Sequence, residues 1–239
     1  MDRASKKIGL IGGVSPESTV FYYRLINQAA ARRLGRPHSA EVIIYALDFG
    51  TMMKHYTAED WPSFKAEVVR AGRALEAAGC DALAISSNTT QMAVFDLADA
   101  VGAPVINMLA VLGDALTDAG VQRPLVLGTP FVMEGDFYRP HLEAIYGLKT
   151  IIPGADDRRE VDRVIFEELV NGVISPEARR SYIEIIARGA AAGADAVILG
   201  CTEIGLLIEQ DHAPQPVFDT TRLHAAAIAE FAFSERPIS

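Results

Sequence analysis

The chain is poor in cysteine, clustered positive charge and long apolar runs, and each shortage excludes a class of protein. Its 239 residues include two cysteines, Cys80 and Cys201. Two are too few for the disulfide frameworks of small secreted domains and suit a reduced, cytoplasmic chain. The five histidines, His38, His55, His141, His212 and His224, lack a second ligand type at metal-site spacing, so no metal is expected. The net charge is −9 and Lys/Arg never run beyond a pair or so, so no nucleic-acid face is expected. No apolar run nears the roughly 20 residues of a membrane span. The opening MDRASKKIGLIGG holds no apolar core of signal-peptide length before Gly12 and Gly13. Neither membrane nor export is expected.

What is present is an ordinary globular composition, 50% hydrophobic and 22% charged. Short β-type runs alternate with helical patterns: KIGLI (7–11), then a helix over 18–33, EVIIYAL (41–47), a helix over 60–78, a strand over 82–85 and another over 105–108. The series then starts again with RPLVL (123–127), a short helix over 138–142, KTII (149–152), helices over 161–171 and 176–192, a strand over 196–199, PVF (216–218) and a helix over 221–233. Such alternation implies parallel βαβ units and an α/β fold.

Two stretches are near copies. AAGCDALAISSNT (77–89) aligns without gaps on AAGADAVILGCTE (191–203). KIGLIGG answers RPLVLGT, and APVIN (103–107) answers QPVFD (215–219), in the same order. The sequence therefore reads as a duplication: two pseudo-symmetric α/β domains with parallel sheets. The first is expected over residues 1–110, joined by segment 214–239, and the second over 111–213. Ligands of parallel sheets bind at the carboxyl ends of strands. The matched tips, Ser87 and Cys201, are accordingly expected on opposite walls of an interdomain cleft. Groups on opposite walls would remove a proton from one face of a carbon and return one to the other, inverting a stereocentre. A thiolate of ordinary pKa about 8.5 is a suitable base, and N–H groups at a helix start would lower that value.

The stretches IGLIGGVSPESTVFYYRLIN (8–27), SSNTTQ (86–91), LGTPFVMEGDFYRPHL (127–142), IFEELVNG (165–172), LGCTEIGLL (199–207) and PVFDTTRLHA (216–225) carry a resemblance. The chain resembles the aspartate/glutamate racemase family, and especially its bacterial branch acting on both amino acids. The resemblance implies a cofactor-independent isomerase, without pyridoxal phosphate or metal, working on a small amino acid or dicarboxylate and usually a homodimer. It assigns Cys201 as the base and puts Ser87 on the reprotonating side. Ser15, Asn88, Thr89, Thr129, Thr202 and Glu203 are the candidate substrate ligands.

The chain departs from the family pattern. The usual first tip is Cys-Asn-Thr-x-His; here Ser87 replaces the cysteine and Gln91 the histidine. A hydroxyl is a poor base at neutral pH, so catalysis is expected to favour the face covered by Cys201, and with it the L-enantiomer. A basic residue used by some aspartate racemases is missing near Leu169 and Val170, leaving Arg24, Lys54, Arg139 and Arg222 as cationic candidates. Other readings of a lone cysteine on this scaffold are a decarboxylase of malonate-type acids, a cis-trans isomerase of unsaturated diacids, or a non-catalytic acid-binding protein.

Overall fold

The structure, a computed structural model, describes residues 5–234. Its strands are β1 (Ile8–Gly12), β2 (Val42–Ala46), β3 (Ala82–Ile85), β4 (Val105–Ile106), β5 (Pro124–Gly128), β6 (Ala196–Gly200) and β7 (Val217–Asp219). Between them run α1 (Pro16–Leu34), α2 (Phe49–Thr57), α3 (Trp61–Ala77), α4 (Val94–Ala100), α5 (Met108–Asp118), α6 (Pro130–Glu134), α7 (Arg139–Tyr146), α8 (Ala155–Arg163), α9 (Pro176–Ala191) and α10 (Ile204–Leu207), with α11 (Thr220–Phe233) last. The fold is α/β, with one parallel sheet ordered β2-β1-β3-β4 and a second ordered β5-β6-β7.

The second sheet repeats the connectivity of the first. The predicted KTII strand is reduced to a single parallel bridge, Leu125 to Ile151, beside β5. Val126 N–H donates to Ile151 O (2.8 Å) and Ile151 N–H to Pro124 O (2.9 Å). With that bridge in the place of β2, β5 corresponds to β1, β6 to β3 and β7 to β4.

The duplicated AAG-x-DA has a structural cause. Gly79 and Gly193 end α3 and α9 with φ of 78° and 91°, a left-handed cap that only glycine adopts without strain. The next N–H closes each cap, Cys80 to Leu75 O at 3.2 Å and Ala194 to Gly189 O at 3.0 Å. The repeated Asp then clamps the start of the neighbouring strand. Asp81 Oδ2 accepts Lys7 N–H (2.7 Å); Asp195 accepts Gln122 N–H (2.8 Å) and Arg123 N–H (2.9 Å). Two helices also start alike. Ser15-Pro16-Glu17 and Ser175-Pro176-Glu177 each offer a serine Oγ to the N–H three residues on, at 3.4 and 3.0 Å.

Among the described residues, 5–107 and 224–234 form one compact unit, and Met108–Leu223 the other. Segment 214–223 thus belongs with the second unit, against the sequence boundary, because β7 hydrogen-bonds to β6. The core of the first unit gathers Ile11, Phe64, Val68, Leu75, Leu83, Ile85 and Leu97. In the second, Leu125, Leu127, Val197 and Leu199 face one apolar layer, while Val126, Ala196 and Ile198 face another. A sheet covered on both faces needs continuous apolar strands, which is why these read as unbroken hydrophobic runs. Each large side chain buried this way contributes about 1.5–3 kcal/mol.

Several elements differ from the sequence reading. Met108 opens α5 and does not extend β4. The helix read over 161–171 begins earlier, as α8, and continues through a π-helical turn at Val164–Glu168. Helices α2, α4, α5 and α6 were not anticipated.

Candidate active site

The predicted site residues fall into two clusters, each at the carboxyl end of a sheet. In the first unit Ile11 and Ile85 are partners in register, so the loop after β1 and the tip after β3 emerge side by side. The loop turns at Gly13, whose φ is 82°; a Cβ there would lie 2.0 Å from Leu47 O. Ser15 also has a positive φ, 85°, rare for a residue with a side chain. Its carbonyl accepts the hydroxyls of Ser18 (2.9 Å) and Thr19 (3.1 Å). Ser18 Oγ also reaches Ser86 O (3.4 Å), which ties loop to tip.

Ser87 is 8% exposed. Its Oγ accepts from the N–H (3.2 Å) and the hydroxyl (3.0 Å) of Thr90. That leaves its own O–H as the group to donate. Gln91, in the place of the family's histidine, is buried; its Nε2 donates to Ile85 O (3.2 Å) and Ser87 O (3.1 Å). Two carbonyl acceptors fix the orientation of the amide. Asn88 is buried and Thr89 half-buried, both beside Ser87.

The second cluster is built alike. Gly128 and Gly200 are register partners, so Thr129 and Cys201 leave neighbouring strands together. Thr129 is buried and its carbonyl caps α6, accepting from Val132 and Met133 at 3.0 Å each. Cys201 is a free, buried thiol. Its Sγ–H donates to Glu203 Oε2 (3.1 Å), and Thr202 Oγ1 donates to the same oxygen (2.5 Å). Glu203 is 3% exposed. Its other oxygen, Oε1, is buried without a hydrogen-bond partner.

The electrostatics correct one expectation. The Cys201 thiol lies well above the ordinary thiol range, first because it is buried and second because the Glu203 charge is beside it. Backbone N–H groups of Glu203 and Ile204 pull the other way, as the sequence reading expected, but they are outweighed. The resting sulfur is thus a protonated thiol. Tyr182 backs this pocket from α9, fully buried, with its hydroxyl on Val161 O (3.0 Å). It has no sequence signal; helix packing alone brings it near Cys201.

The cationic candidates fare unequally. Arg139 is committed to Thr150 Oγ1 (2.9 Å), Met133 O (3.3 Å) and Glu143 (3.5 Å). Arg222 pairs with Asp219 (3.1 Å). Arg24 and Lys54 are exposed on α1 and α2. Leu169 is buried in the core of the second unit, in keeping with its apolar character. Cys80 is buried between α3 and β3 in the core of the first unit, at the end of β3 opposite Ser87. Among the described residues, no group of three or more His, Cys, Asp or Glu side chains is placed to hold a metal. No described helix is long and apolar enough to cross a membrane.

The β6 tip thus carries a buried thiol and the matching β3 tip a buried serine. Residues 11–228 match the model of the Asp/Glu/Hydantoin racemase family, and the chain belongs to that family. A candidate Asp/Glu racemase from Yersinia pestis is 38% identical, with 96% of this chain and 100% of that one covered and a TM-score of 0.90. An aspartate racemase homologue from Pyrococcus horikoshii is 32% identical, with 96% and 100% covered and a TM-score of 0.85. The Picrophilus torridus aspartate racemase, 22% identical over 95% of this chain and 94% of that one, shares the fold at a TM-score of 0.76.

Proposed function

We propose that the chain racemises aspartate, glutamate or both, without pyridoxal phosphate or metal. The observation that carries this reading is the buried Cys201 thiol held by Glu203 at the β6 tip, with Ser87 at the matching tip of β3. Cys201, once deprotonated, takes the α-proton. Hydroxyl and N–H donors among Ser15, Asn88, Thr89, Thr129 and Thr202 hold the α-carboxylate and stabilise the carbanion that forms beside it. A proton returns from the Ser87 side, from its hydroxyl or a water that it orients, and solvent replaces that proton. Cys201 loses its captured proton to solvent and the cycle closes. Because only one tip carries a thiol, L-amino acids are the preferred substrates. The relatives named as aspartate racemases support the substrate class, and the family resemblance supports a cytoplasmic homodimer.

Chiral chromatography of L-aspartate and L-glutamate incubated with the protein is the test. D-enantiomer is expected to accumulate. Cys201→Ala is expected to lose about a hundred- to ten-thousandfold in rate. If neither amino acid inverts, or if the variant inverts it as fast, the reading fails.

A further inference from the structure

A buried carboxylate oxygen with no donor is rare in a folded protein and calls for a reason. Glu203 has one. Its Oε2 already receives two hydrogens, from Cys201 Sγ and Thr202 Oγ1, while Oε1 is sealed from solvent and unpaired. Glu203 is also the single acid among the buried polar residues of the two strand tips, the others being Ser, Thr, Asn and Gln. The α-carbon of an amino acid carries one anionic group, the carboxylate, and one cationic group, the ammonium. Neutral donors suit the first. Of the two unpaired buried acceptors at the tips, Gln91 Oε1 and Glu203 Oε1, Glu203 alone brings a negative charge to match the second.

We infer that Glu203 is the amine receptor of the site: Oε1 accepts an N–H of the substrate's α-ammonium while Oε2 keeps the Cys201 side chain in place. This rests on the racemase reading and deepens it, because it names the substrate group that the site selects. It also couples recognition to activation. Burial, and after it the Glu203 charge, holds the proton on Cys201. An ammonium on Oε1 offsets that charge. The thiol proton then leaves to solvent as the ammonium enters, one positive charge replacing another, and the thiolate is left as base. The other ionisable group facing the sulfur is Tyr182, which itself lies near Glu160, Asp162 and Arg163. None of these adjoins Oε1 in the hydrogen-bond network. A diacid without an amine gains nothing at Oε1 and is repelled there.

The test pairs calorimetry with NMR. L-aspartate and L-glutamate are compared with succinate and glutarate, the same diacids without the amine. The amino acids are expected to bind about ten- to a hundredfold tighter, the range of a charge-assisted hydrogen bond. Glu203→Gln is expected to shrink that margin to about twofold. The Cys201 ¹³Cβ resonance, assigned by its loss in Cys201→Ala, reports the thiol titration. In the free wild-type protein it titrates at higher pH than in Glu203→Gln, and the amino acids lower that pH in the wild type where the diacids do not. A glutamate that only held the thiol would shift the free-protein titration but would leave the binding margin and the ligand-induced shift unmoved. If Glu203→Gln fails to fold by circular dichroism, the wild-type margin and titration decide alone. Equal binding of succinate and aspartate, or a margin retained in Glu203→Gln, would overturn the inference. Amino-acid racemisation without the margin sinks this inference and spares the racemase reading. The margin without racemisation does the reverse.

Discussion

At the scale of single residues, one thiol and one hydroxyl are the groups proposed to carry the chemistry. The thiol of Cys201 is raised by burial and by Glu203, and the proposed mechanism works through its thiolate. The rate at low substrate concentration is therefore expected to climb with pH through and beyond the ordinary thiol range. A plateau below that range would mean that the base is another group. Ser87 accepts both hydrogens of Thr90, and a thiol in its place would sit at the same tip. Ser87→Cys is expected to raise the D-to-L rate ratio about tenfold or more, measured as initial rates from the pure enantiomers. An unchanged ratio would show that the second proton does not pass through this position. The candidate site was legible at this scale because the duplication put Ser87 and Cys201 in register. The unpaired Oε1 of Glu203 and the approach of Tyr182 were not legible. Both depend on which way a side chain points once α9 and α10 have packed.

At the scale of elements, the repeated AAG-x-DA was legible as a repeat but not as a device. Its glycines cap α3 and α9, and its aspartates fasten the starts of β1 and β5. Asp195→Ala removes two backbone N–H partners near the surface and is expected to lower stability by about 1–2 kcal/mol in urea unfolding, with the midpoint changed and the slope kept. A neutral result would mean that water replaces the carboxylate without loss. The KTII strand shrank to a bridge because its neighbour β5 is its only ladder partner and Pro153-Gly154 follows at once. Helix α5 went unread although Asn107 breaks the apolar run between β4 and Met108, directly before the helix start.

At the scale of the whole molecule, the fold was legible almost throughout, since strands buried on both faces announce themselves as apolar runs ending in small residues. The least legible feature was a wholly buried histidine on α11. His224 Nε2–H donates to Ile106 O (2.7 Å), and Nδ1 accepts from the Tyr22 hydroxyl (3.1 Å). Burial depresses its pKa to about 4. The folded value lies below the unfolded value of about 6.5, so the stabilisation is complete above that pH and is lost as pH falls towards 4. Over that window His224 is expected to remove about 3 kcal/mol of stability, read by urea titrations at several pH values. His224→Gln is expected to flatten the slope. A slope that persists in the variant would assign the acid sensitivity elsewhere.

The most direct measurement is α-proton exchange in D₂O, followed by NMR for L-aspartate, D-aspartate, L-glutamate and D-glutamate with the wild-type protein and with Cys201→Ala. Exchange is expected to be fast from at least one L-enantiomer, slower from its D-partner, and lost in the variant. No exchange from any of the four, or equal exchange with and without Cys201, would contradict a racemase that draws its proton through this thiol.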